Sequence, residues 1–152
     1  MDRPWDQENS YERARIKKLA ASLSDAELNL PLSAGWTIAV ALVHLAFWDL
    51  RAAVITRNWK QNGIKVMPSI DVDPVNDALV PISLAIPPRA AANLAFTAAD
   101  EIDNELEQSP DTFIKTVEAL GEPYRLYRSK HRKMHLDEII AVLKAGGKTI
   151  NL

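Results

Sequence analysis

Between Thr37 and Gly63 the apolar residues Ile38, Ala41, Leu45, Trp48, Ala52, Ile55 and Trp59 recur at alternating steps of three and four. That spacing places all seven on one stripe of an α-helix, and a seam this long requires other helices to cover it. Thr37 suits the N-cap, since its hydroxyl can accept a hydrogen bond from an otherwise unpaired first-turn amide. Gly63 suits the residue just past the last turn.

The rest of the chain repeats the helical period, and no convincing alternation of strand residues interrupts it. A first helix is expected over about Asn9 to Leu23, with Ile16, Leu19, Ala20 and Leu23 as its apolar face. Residues 64–88 hold five of the nine prolines, which rules out one long helix there. This segment reads as a crossover that walls a cavity, with a short helical piece around Val75–Val80. A third helix follows from Arg89 to Glu107, then a short accessory helix within "SPDTFIKTVEALGEP". A last long helix spans Tyr124 to Lys144 and stops at Gly146-Gly147. The expectation is an all-α, single-domain four-helix bundle over residues 1–152.

Composition narrows the function. A net charge of −2 gives no electrostatic reason to expect nucleic acid as partner. The basic run "YRLYRSKHRK", residues 124–133, spreads its charges around a helix and reads as solvated surface. With no cysteine, disulfides, thiolate zinc sites and a chain-borne thiol nucleophile are excluded. The polar opening "MDRPWDQENSYERAR" lacks a signal-peptide pattern, and the longest apolar stretch meets His44, Asp49 and Arg51. A cytoplasmic protein without a membrane span is expected.

The three histidines carry the chemistry. His131 and His135 lie four apart, so they share a helix face and can aim both imidazoles at one point. Tyr124, Tyr127, Glu138 and Val142 fall within about 40° of His131 around the helix. Leu136, Ile139, Ile140 and Leu143 face elsewhere, toward the core. His44 sits about 60° from Ala41, at the edge of the buried seam. Three neutral imidazoles suit a divalent first-row metal and leave a position open for water or substrate. The alternative is three unrelated surface or core histidines. Neither His-Glu-x-x-His nor Glu-x-x-His occurs, which strikes out the corresponding protease and di-iron motifs.

Glu138, one turn past His135, is the candidate acid/base or ligand-orienting carboxylate, or else a solvated glutamate paired with a cation. Tyr124 and Tyr127 are candidate pocket-lining, cofactor-binding hydroxyls. Asn76 and Asp73 are weaker pocket candidates. Asp49, five residues past His44, is expected at the surface or an interface. Trp36, Trp48 and Trp59 read as packing residues, and Trp5 as an anchor or dimer contact ahead of the first helix.

"GWTIAVALVHLAFWDLRAA", residues 35–53, and "HRKMHLDEI", residues 131–139, resemble the two signatures of the DinB/YfiT-like superfamily. "DVDPVNDALV", residues 71–80, is similar to the Asp/Asn-containing segment that often follows that family's second helix. The resemblance implies an up-down-down-up bundle with a long crossover between its second and third helices. It implies His44, His131 and His135 as ligands to one divalent ion, zinc or nickel. It also implies a homodimer acting on a small molecule, as a metal-dependent hydrolase or a low-molecular-weight-thiol-dependent transferase. The rival reading is a non-catalytic dimeric bundle that serves as a binding or interaction module.

Overall fold

The computed structural model describes residues 1–151, and these form an all-helical protein whose only bridge pairs Pro31 with Thr37. The helices are α1 (Pro4–Ser22), α2 (Asp25–Leu28), α3 (Ile38–Asn62), α4 (Val72–Leu84), α5 (Pro88–Glu107), α6 (Asp111–Glu118) and α7 (Arg128–Ala145).

Several boundaries follow the local chemistry foreseen above. Thr37 Oγ1 accepts a hydrogen bond from the Val40 amide at 3.2 Å, capping α3. The same helix stops at Gly63, whose φ of 85° suits a residue without Cβ. Three boundaries differ from expectation. Helix α1 begins at Pro4, because proline is tolerated in a first turn and Trp5 behind it is anchored in the core. Trp5 is 1% exposed, packed with Trp59, Ile102, Leu106 and Ile114, and is therefore no dimer contact. Helix α4 extends well beyond 75–80: Pro74 occupies a first turn, where amides lack helical partners anyway, and Pro81 is carried inside the helix at the loss of one amide donor.

Helix α7 starts at Arg128, not Tyr124. Residues 123–125 form a separate 3₁₀ turn, and a side chain from α1 then takes over the capping. Asn9 Nδ2 donates to the Leu126 carbonyl and Asn9 Oδ1 accepts from the Ser129 amide, both at 2.8 Å.

Hydrogen bonds and ion pairs give the helix directions. Arg57–Glu101 and Lys60–Glu105 run in step, so α3 and α5 are parallel. Arg13–Asp100 and Arg89 to the Ala20 carbonyl make α1 antiparallel to α5. Glu8–Ser129 and Arg15–Asp137 make α1 parallel to α7. His44–His131 and Asp49–Arg128 make α3 antiparallel to α7.

Two apolar clusters fill the interior. One gathers Ile16, Leu19, Ile38, Leu42, Leu45, Ala95, Leu136 and Ile139; the other gathers Trp5, Ile55, Trp59, Ile102, Leu106 and Ile114. Between them in every long helix stands a buried polar residue: Asn9 on α1, Asp49 on α3, Asp103 on α5 and Arg132 on α7. Arg132, 0% exposed, satisfies all five of its N–H groups. Nε donates to Asp49, the two terminal nitrogens grip Asp103 end-on at 2.8 and 2.9 Å, and the rest reach the Asn9 and Ala99 carbonyls. Helix α3 is long and apolar enough to cross a bilayer by length and composition, but most of that stretch is buried against its neighbours.

Candidate metal centre

The fold brings all three histidines to one place beside the polar layer. One ring nitrogen from each of His44, His131 and His135 lies within 4.8 Å of the other two. His44 Nε2 and His131 Nε2 are 2.9 Å apart. The three ring centroids are mutually 4.8 to 5.0 Å apart and the planes stand edge to face, so the rings converge without stacking. Around a tetrahedral ion with bonds of about 2.0–2.1 Å, ligand nitrogens sit about 3.3 Å from one another. The spacing here brackets that value.

Two further observations fit the residues to a cation. His44 Nδ1 and both nitrogens of His135 are buried with no hydrogen-bond partner. Buried polar atoms are ordinarily satisfied, and a bound divalent ion would satisfy one such nitrogen of His135. Burial also keeps the rings neutral. It holds His44 down to about 4, helped by the repulsion His135 would exert once protonated. Burial holds His131 down to about 3, helped by His135, Arg128 and His44 and opposed by Asp49. His135 is lowered by burial too, against a smaller opposing pull from Glu138. Neutral imidazoles at pH 7 keep the lone pairs a metal needs.

Aromatic rings border the cluster. Trp36 stacks on His135 at 5.9 Å and tilts against His44 at 4.9 Å. Trp48 meets His44 edge-on at 6.3 Å, and its indole N–H donates to Asn76 Oδ1 at 3.1 Å. So Trp36 and Trp48, expected to be packing residues, touch the site, and Asn76 reaches it through Trp48. Trp59 stays a core residue and Asp73 is exposed.

Glu138 is half-buried near His135, and its Oε1 accepts from the Ser33 hydroxyl at 2.5 Å and the Ser33 amide at 3.3 Å. It is thus anchored by a neutral hydroxyl rather than by a cation. The tyrosines are placed otherwise than expected. Tyr124 lies on the 3₁₀ turn ahead of α7 and is 59% exposed, because the helix that should have turned it inward starts four residues later. Tyr127 packs against the Trp5 cluster with the Lys130 ammonium over its ring. Neither ring pairs with a histidine among the described residues.

Asp49 corrects another expectation. It is buried, not superficial, and accepts from Arg128 Nε and Arg132 Nε at 2.9 Å each. Burial alone would raise its carboxyl, but the two guanidiniums outweigh it and hold the pKa below the usual range. Two of the five cations in the supposedly solvated basic run, Arg128 and Arg132, are therefore interior. Arg128 and Arg132 continue toward the N-terminus the buried stripe of Leu136, Ile139 and Leu143. Arg132 stands between His131 and His135 in the chain, so its grip on Asp49 and Asp103 fixes α7 where its histidines meet His44.

No family model, no curated protein and no solved structure matches this chain.

Proposed function

We propose that this chain is a DinB-like metalloprotein whose His44, His131 and His135 hold one divalent ion, zinc or nickel. The observation that carries the reading is the convergence of the only three histidines in the sequence, with both nitrogens of His135 unpartnered. An up-down-down-up four-helix bundle is supported by the parallel run of α3 with α5 and of α1 with α7. The connection through α4 is long enough to join two parallel helices.

Three histidine ligands leave coordination open, and an ion held there supplies Lewis-acid activation of a bound water or thiol. Two reactions follow, metal-dependent hydrolysis of a small molecule or transfer to a low-molecular-weight thiol. The protein has no cysteine, so a thiol would arrive as co-substrate. Trp36 and Trp48 border the cluster and give a bound small molecule apolar faces to lie against. Glu138, steadied on one oxygen by Ser33, keeps Oε2 for a proton. Native mass spectrometry of protein from its own cells tests this reading. One ion per chain is expected, and metal-free protein that takes up none on addition of zinc or nickel contradicts it.

One observation favours the non-catalytic interaction module. Helix α4 is strongly apolar, yet Ser83 is its only buried residue, and Ile82 and Leu84 are more than half exposed. A homodimer covering this face predicts that Ile82→Lys with Leu84→Lys gives a monomer in sedimentation analysis. An unchanged mass removes α4 from the interface.

A further inference from the structure

Arg51, two turns along α3 from His44, is a cation that no carboxylate neutralises among the described residues. It forms no ion pair among the described residues, and its charged neighbours are the guanidiniums of Arg125 and Arg128. Those two are matched, Arg125 to Glu122 at 2.7 Å and Arg128 to Asp49 at 2.9 Å. Three guanidiniums thus gather near the start of α7 with one of them unanswered. Burial and the two neighbours disfavour the charge on Arg51, a cost that an arriving anion relieves.

Its position relative to the site is set by α3. Arg51 follows His44 by seven residues, which puts it within about 20° of the same face and about 10 Å along the axis. Between them stands Trp48, with the Arg51 Cζ 5.6 Å from its ring centroid and its edge against His44. Stacking on an indole orients a guanidinium while leaving its N–H edge free to grip a carboxylate.

We propose that Arg51 docks the anionic end, a carboxylate, of the small molecule whose other end binds at the histidines, with an apolar spacer lying along Trp48. This rests on the reading that the three histidines hold a metal. It adds a requirement of length: the two ends of the ligand must span about the helix rise between His44 and Arg51.

Cobalt-loaded protein offers a test, because a thiolate that joins the ion gives a charge-transfer absorption band. The probes are 6-mercaptohexanoate against 6-mercaptohexanol, and mercaptoacetate against 2-mercaptoethanol. At low salt the long acid is expected to bind about tenfold tighter than the long alcohol, a difference of about 1.4 kcal/mol. The short pair should show no such preference. Arg51→Gln is expected to erase the long-chain preference, with cobalt content and affinity for 6-mercaptohexanol unchanged, while Arg51→Lys keeps part of it. The inference is overturned if the long acid binds no tighter than the alcohol, or if its advantage survives in Arg51→Gln. Failure of the wild-type protein to retain cobalt overturns the metal reading instead, and this inference with it.

Discussion

Asp49 Oδ2 accepts a 2.9 Å hydrogen bond from Arg132 Nε, joining the carboxylate five residues past His44 to the guanidinium next to His131. The pair is buried on both sides and reaches all four long helices through Asp103, Asn9 and Ala99. Such a clamp contributes register more than net stability, because removing two charges from water offsets much of their attraction. Taking away one partner is a different matter.

Arg132→Met leaves two buried carboxylates short of donors and is expected to destabilise the protein by about 3–5 kcal/mol. Urea unfolding followed by circular dichroism measures this. A loss under about 1 kcal/mol contradicts the account of the polar layer.

Trp5 is the far wall of the second apolar cluster, packed inside its own chain. Trp5→Ala is expected to cost about 3–5 kcal/mol in the same experiment. It should do so at every protein concentration, whereas a dimer contact would show its loss as concentration-dependent dissociation.

The histidines set a pH dependence for metal-free protein. His44 and His131 titrate in the fold near 4 and 3, below the ordinary 6.5. As pH falls below about 6.5 the unfolded chain therefore binds protons first, and stability declines. The slope is about 1.4 kcal/mol per pH unit for each histidine until the folded groups titrate, with no dependence from these groups above 6.5. The charged groups acting on them are His135, Arg128 and Asp49, with Glu138 acting on His135. With a chelator present, unfolding midpoints at pH 7.5, 6 and 5 should fall less steeply in His131→Ala than in wild type. Equal slopes would remove His131 from the account.

Much of the fold was legible because its helices bury regular stripes, and the histidine pair on α7 was legible because four residues make one turn. What escaped was the polar layer. Asp49 and Arg132 are 83 positions apart, and a charged residue without a known partner is assigned to solvent. A signal was nonetheless present. Trp5, Asn9, Glu12, Ile16, Leu19 and Leu23 form one three-four stripe on the first helix, and Arg128, Arg132, Leu136, Ile139 and Leu143 form another on the last. Polar residues that continue an apolar stripe in register are candidates for mutual burial. The start of α7 could not be read in this way, because its cap is Asn9, a side chain more than a hundred residues away.

Metal stoichiometry tests the central claim most directly. Wild-type protein loaded with zinc, dialysed and analysed by plasma mass spectrometry should hold one ion per chain. His44→Ala, His131→Ala and His135→Ala should each hold well under half, with helical circular dichroism retained. Full occupancy in any one of the three folded variants would contradict a common site built from all three histidines.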